Sequence, residues 1–391
     1  MKSTTDGRMG RSWPECLRPG LIHLVPTAFL LAIAVPVLHH VHFPLIWNWA
    51  GLLASFSWLA LQAIAVAAVL YTVQVPREVW GRLRSSCFQD VRRGLLLVVL
   101  VAILFWAAGL KFAPVAVIDC LAIFEFLRSG RNRDGIKATV LALLPAAAYL
   151  FIGLVLAFTY TNVIVRVRFF AEYDPVFNRF DARFFGTTVV ALSERFAAVA
   201  PESLFKILNF IYYGMFAQIG AALVISGLCG GFKRSIQFVG TIVLAYYVAL
   251  VLFLLFPSHG PYYFASDTFA RLHSQISAFR TQRIFLHDAL YLWQQKPVRS
   301  VPLGFYIAFP CMHIAQPLIV LWFLRCWRRV VAILAAYDVA LVAAIVLLQW
   351  HYFADLLGGV AVAGVVILLA ARRFADESEK PQQTQAAGVS A

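Results

Sequence analysis

Long apolar runs separated by short basic breaks organise this chain. Runs at about 21–41 and 51–73 come first, followed by an apolar region at about 94–127 broken by Lys111 and Pro114. Six more follow, at about 138–160, 205–229, 233–256, 306–324, 330–349 and 352–371. A helix needs roughly 20 apolar residues to cross a hydrocarbon core, so the pattern predicts an all-α, polytopic membrane protein. The two pieces of 94–127 are each short for a crossing. Basic residues flank both sides, Arg77 to Arg93 before and Arg128, Arg131, Arg133 and Lys137 after, so the region reads as a tight hairpin; one long tilted span is the alternative. The 21–41 run follows a basic N-terminus in the layout of a signal peptide. It is long for one and lacks a convincing cleavage site, so it is expected to stay as the first span.

Two kinds of connection alternate between the later runs. Lys233–Arg234, Arg325–Arg329 and the exit at Arg372–Arg373 are short and basic, whereas 161–204 and 257–303 are long and mixed. Cytoplasmic loops carry an excess of Lys and Arg. The basic turns are therefore expected inside, and the two long segments outside. The tail from Asp376 to Ala391 is polar, rich in Gln, Ser and Ala, and is expected to be disordered. This divides the chain into N-terminal spans (1–137), a C-terminal six-helix core (138–372) and a cytoplasmic tail (373–391).

Composition supports this organisation. Of 391 residues 61% are hydrophobic and only 13% charged, against about a quarter charged in soluble domains. The net charge of +14 would suggest a nucleic-acid partner in a soluble protein. Here the excess sits in the short connections, where topology accounts for it, and no nucleic acid is implied. The six cysteines, 16, 87, 120, 229, 311 and 326, form no CxxC pair, and no disulfide framework is indicated. The 161–204 segment contains AEYDPVFNRFDARFFG, with Asp174 and Asp181 seven residues apart and Phe177, Phe180, Phe184 and Phe185 at helical spacing. It predicts an amphipathic helix, lying either in the interface or as a cap over a site.

The chemistry concentrates between residues 304 and 359. His313 and His351 stand at opposite ends of a helix, basic turn, helix arrangement, which returns both to one surface. Asp355 follows His351 by four residues, about one helical turn, on the same face. It is placed to accept from the ring Nδ1–H, fixing the tautomer and raising the basicity of the other nitrogen. His313, just after Pro310 at the start of a helix, sits where free N–H groups attract anions. A His/His/Asp set could hold a divalent ion, but HxxxH or HExxH spacing and further ligands are lacking, so no metal is expected. His259 has no HxxxD partner. Gly260 and Pro261 after it read as a turn, with Tyr262, Tyr263 and Phe264 as interfacial aromatics.

FPCMH, followed 38 residues after its histidine by HYFAD, resembles the second and third signature motifs of the type 2 phosphatidic acid phosphatase superfamily, written PSGH and SRxxxxxHxxxD. HYFADLLGG, FPSHGPYYF, the Asp174/Asp181 segment and KPVRSVPLGF are most similar to its inositol phosphorylceramide synthase-like branch and bacterial relatives. The resemblance covers about 138–371. It implies a six-helix phosphatase-type core, here preceded by about four extra spans, and a membrane enzyme acting on a lipid phosphate without metal or other cofactor. It also implies roles. His351 would become phosphorylated, Asp355 would orient it, and His313 would protonate the departing alcohol. The chain departs from the motifs at Cys311, in place of the serine, and at Ala344 and Ile345, in place of serine and arginine. A substitute cation is needed for the charge on a transferring phosphoryl group. Arg299 and Lys296 are the first candidates, with Cys311 as a further phosphate contact, and Arg280 and Arg283 are secondary. The leading expectation is a lipid phosphate phosphotransferase or phosphatase of a bacterial inner membrane, its site facing the periplasm and both termini cytoplasmic. Hydrolysis of phosphatidate or a polyprenyl diphosphate is the enzymatic alternative. A non-enzymatic lipid transporter on the same scaffold is the alternative of another class.

Overall fold

The structure, a computed structural model, describes residues 25–34, 37, 136–264, 276–294 and 305–378. The expected spans at 51–73 and 94–127, Lys296, Arg299 and the tail beyond Ser378 lie outside them, while 373–378, expected to belong to a tail disordered from Asp376, continue the last helix. The described residues are helical and free of strands. In chain order they form α1 (Val25–Ala34), α2 (Ile136–Val167), α3 (Asp174–Phe185), α4 (Val189–Val199), α5 (Glu202–Leu255), α6 (Ser277–Gln294), α7 (Met312–Leu324), α8 (Arg328–Leu347) and α9 (Phe353–Ser378). Among the described residues five stretches are long and apolar enough to cross a membrane: Pro145–Val167, Glu202–Gly227, Lys233–Leu255, Arg328–Leu347 and Phe353–Arg372. The chain is an all-α, polytopic membrane protein.

The helical labels of α5 run without a break for 54 residues, yet it is not one straight rod. Tyr212 stacks on His313, while Tyr246 bonds Gln316 a single turn further along α7. On a straight helix those two tyrosines would stand roughly 50 Å apart at 1.5 Å per residue. The chain therefore doubles back between Gly227 and Lys233, and its two arms flank α7. At the turn end, Arg234 Nη2 donates to the Phe323 carbonyl at 2.7 Å and its guanidinium lies 5.9 Å from the Trp327 ring. The Lys233–Arg234 and Arg325–Arg329 turns therefore share one end of the bundle, opposite the histidines.

One expected span is shorter than its apolar run. The run at 306–324 becomes helical only at Met312, and residues 305–311, which include Pro310, are non-helical backbone. Proline disfavours helix in the residue before it, and periodicity alone cannot separate an apolar loop from an apolar helix. Small residues let the helices close in. A Cβ on Gly153 of α2 would lie 2.5 Å from Val243, and one on Gly359 of α9 would lie 2.3 Å from the Cys311 carbonyl oxygen. Outside this core, α1 is pinned to α2 and the second arm of α5. Thr27 Oγ1 lies 3.0 Å from the Tyr247 hydroxyl, and the Tyr160 hydroxyl donates to the Leu30 carbonyl at 2.6 Å.

Candidate active site

At the end away from the basic turns, three pieces of loop meet: 256–264, 305–311 and 348–352. Each is held by backbone bonds to another. Ala308 N donates to Ser258 O, Tyr262 N to Gln349 O, and Cys311 N to the Asp355 carbonyl. The last bond welds the start of α7 to the start of α9, the two helices that carry the histidines.

His313 and His351, 38 residues apart, come together there, with His313 Nδ1 lying 2.9 Å from His351 Nε2. The other nitrogen of His351, Nδ1, lies 3.0 Å from the Ala308 carbonyl. A carbonyl only accepts, so Nδ1 carries the ring proton and Nε2 presents its lone pair to the Nδ1–H of His313. Burial holds His351 down to about pKa 3, which keeps the ring neutral and the lone pair available. His313 lies against Tyr212, whose ring stacks on it at 4.8 Å and on Trp350 at 4.9 Å.

Asp355 was expected to take the Nδ1–H. Its Oδ2 lies 3.5 Å from that nitrogen, further than the Ala308 carbonyl, and accepts instead from Tyr352 N at 2.8 Å. The carboxyl group thus caps the start of α9 and lies beside the ring from a second position. The backbone places His351 by a tight turn. Gln349 sits at φ 58, a left-handed conformation costly for a side chain other than glycine. It is held there through its own amide, which donates to Ser193 Oγ of α4 at 2.7 Å.

Cys311 caps α7 and is fully buried. Burial pushes its thiol well above the usual range, as does the nearby Asp355 charge, against the opposing pull of the Ile314 and His313 N–H groups. Its Sγ and one nitrogen from each of His313 and His351 all lie within 4.8 Å of one another. The ligand count made from sequence omitted this sulfur. Arg280 and Arg283 are exposed on α6. A cation that sequence reasoning passed over, Arg166 at the end of α2, is buried with Nη1 on the Leu292 carbonyl at 3.0 Å.

The aromatic segment 174–185 proves to be the clasp of the site. In α3 the two aspartates point inward, both fully buried, while Phe184 and Phe185 are exposed. Asp174 accepts from His259 N at 2.9 Å and Gly260 N at 2.8 Å. Asp181 accepts from Phe353 N at 3.0 Å and Ala354 N at 3.2 Å, the free donors of the first turn of α9. One short helix therefore holds both the 258–260 loop and the segment following His351. Burial raises both carboxyls to about 7, although these N–H bonds pull the other way. The sequence offered the seven-residue spacing but not the target, since backbone donors leave no mark in side-chain patterns.

His259 lies apart from the histidine pair. It is packed edge-on to Phe170 and against Tyr262, its two ring nitrogens have no hydrogen-bond partner, and burial lowers it to about pKa 3. Gly260, at φ 115, is the turn expected there. A Cβ on it would lie 2.7 Å from the Trp350 carbonyl oxygen, so glycine is required for this close approach.

Residues 177–369 match a family model described as PAP2 superfamily. The match begins inside α3, ends inside α9, and contains Asp181, Cys311, His313, His351 and Asp355. No curated protein and no solved structure gives a significant match.

Proposed function

We propose that the protein is a membrane phosphatase or phosphotransferase that works on a lipid phosphate ester through a phosphohistidine at His351. The observation that carries this reading is the histidine pair, an Nε2 lone pair fixed by a carbonyl on the opposite nitrogen and facing a second ring's N–H at 2.9 Å. The similarity to the PAP2 superfamily, which generally comprises phosphatases, supports it.

In the reaction, the phosphoryl group enters between the two rings and replaces their hydrogen bond. The His351 Nε2 lone pair forms a bond to phosphorus as the bond from phosphorus to the lipid oxygen breaks. The bound phosphate dianion draws a proton onto His313 Nε2, and the imidazolium so formed gives its Nδ1–H to that oxygen, so that a neutral alcohol leaves and a neutral ring remains. His313, now with a free lone pair, takes a proton from water as the water attacks the phosphohistidine. This releases phosphate, and loss of the proton from Nε2 restores both rings. With a second lipid alcohol in the place of water, the same step transfers the phospho-headgroup, and the likeness of HYFADLLGG and FPSHGPYYF to the inositol phosphorylceramide synthase-like branch favours that finer reading. The equatorial oxygens are met by the N–H groups at the start of α7 and by Cys311, with Arg299 and Lys296, named from the sequence alone, as the candidate cations for their charge. With the basic turns cytoplasmic, the site faces the periplasm of a bacterial inner membrane.

Purified protein in detergent, given labelled phosphatidate, a headgroup phospholipid and a polyprenyl diphosphate with a chelator present, tests this. Phosphate release without an added alcohol assigns a phosphatase. A new phospholipid that forms only with an added alcohol assigns a transferase. Equal turnover by wild type and His351→Ala on every substrate would contradict the proposal.

A further inference from the structure

Three soft or borderline ligand atoms converge where the chain departs from the serine of the motif. Cys311 Sγ and a nitrogen from each of His313 and His351 lie within 4.8 Å of one another. We infer that these three residues form a binding site for a thiophilic divalent cation, Zn²⁺ in kind, whose occupation switches the nucleophile off.

The geometry needs little adjustment. Tetrahedral Zn²⁺ with Zn–N of about 2.0–2.1 Å and Zn–S of about 2.3 Å places its ligand nitrogens about 3.3 Å apart and sulfur about 3.5 Å from nitrogen. His313 Nδ1 and His351 Nε2, now at 2.9 Å, open by about 0.4 Å. The sulfur moves in by about 1.3 Å at most, a side-chain adjustment at the helix cap. An outer support for one imidazole is already built, since His351 gives its other N–H to Ala308 at 3.0 Å, with Asp355 close behind at 3.5 Å. Protons balance as well. The thiol releases its proton to solvent, and His313 shifts its ring proton from Nδ1 to Nε2, a buried atom without a hydrogen-bond partner. A thiolate with two imidazoles selects zinc or cobalt over magnesium or calcium, which take oxygen ligands.

Binding of the cation does not depend on the function proposed above; the inhibition does, because it rests on the Nε2 lone pair being the nucleophile. A metal on that lone pair removes it from attack. A serine at 311 would leave two histidines and no thiolate, so the switch belongs to the departure from the motif.

The test is Co²⁺ titration of metal-free, full-length protein in detergent, read by the thiolate-to-cobalt charge-transfer band. One equivalent is expected to saturate the band. Cys311→Ser is expected to abolish it and weaken uptake at least about tenfold, whereas replacing the exposed Cys326 leaves it intact. A chain with every cysteine except Cys311 changed to serine covers the case in which Cys311→Ser fails to fold, and must keep the band. No band in wild type, or a band that survives Cys311→Ser, overturns the site. In a second arm, Zn²⁺ is expected to suppress lipid phosphate release, with a chelator reversing it. Release that persists at saturating Zn²⁺ overturns the switch alone. A full cobalt band in a protein that releases no phosphate upholds the binding site and counts against the phosphohistidine reading.

Discussion

Replacing Asp181 with alanine tests the clasp on its own terms. The carboxylate is fully buried and accepts from Phe353 N at 3.0 Å and Ala354 N at 3.2 Å. Its removal leaves two donors of the α9 first turn without a partner, at about 1–3 kcal/mol for each buried orphan. Removal of a helix-capping acceptor alone costs about 1 kcal/mol. Release of a buried carboxyl offsets part of that, so the net loss is about 2–3 kcal/mol. The catalytic effect should be larger than stability suggests. His351 lies two residues before Phe353, and a displacement of about 1 Å in a reacting group costs about a hundredfold in rate. The expected outcome is a kcat for lipid phosphate release lowered about 10- to 100-fold with KM within about threefold, beside a lowered unfolding midpoint. Arg179→Ala, an exposed change on the same helix, serves as control and should match wild type. An Asp181→Ala enzyme that unfolds earlier but retains full kcat would show that the clasp holds the fold and not the nucleophile.

Three further outcomes follow from the geometry. Because burial raises Asp174 and Asp181 to about 7, the folded chain holds protons there that the unfolded chain gives up near the ordinary carboxylate value of about 4. Their stabilising contribution is full below about pH 4 and is lost as pH rises through about 7. Wild type should therefore lose more stability between pH 5 and pH 8 than the Asp174→Asn/Asp181→Asn double variant, and identical slopes in denaturation would refute this. Gly359→Ala drives a Cβ to 2.3 Å from the Cys311 carbonyl, whereas Gly364→Ala meets nothing within 4 Å. The first should cost about 1–3 kcal/mol and activity, and the second should be neutral or gain up to about 1 kcal/mol. The thermal midpoints of the pair decide it. His313→Ala should lower turnover of an alkyl phosphate ester about 10²- to 10⁴-fold, and that of an aryl ester with an acidic leaving group far less; equal losses on both would remove the proton-donor role.

The sequence pointed to His313, His351 and Asp355, which the fold brings together, but not to the groups that support them. His351 and Asp355 were picked out by a spacing of one helical turn, although His351 itself lies in the loop just before α9. His313 was readable because a basic-turned pair of spans returns the chain to its own side. Neither argument reaches the Ala308 carbonyl, a backbone acceptor that takes the proton assigned to Asp355. Asp174 and Asp181 were visible as a spacing, but the N–H groups they grip lie 85 and more than 170 residues away in the chain. The paired arms of α5 agree with two apolar runs broken by Lys233–Arg234. The late start of α7 at Met312 does not show in hydropathy, since 305–311 is as apolar as the helix after it. Cys311 looked like a weakened phosphate contact, and only its proximity to two imidazoles gives it other chemistry.

The most direct test of the account is to look for the covalent intermediate. Rapid-quench mixing of the protein with lipid labelled in its phosphate, followed by peptide mapping, should place an acid-labile, base-stable phosphoryl group on His351. It should form at the rate of the first turnover in wild type and be absent from His351→Ala. Turnover with no label on the protein, or label on any other residue, would contradict the account.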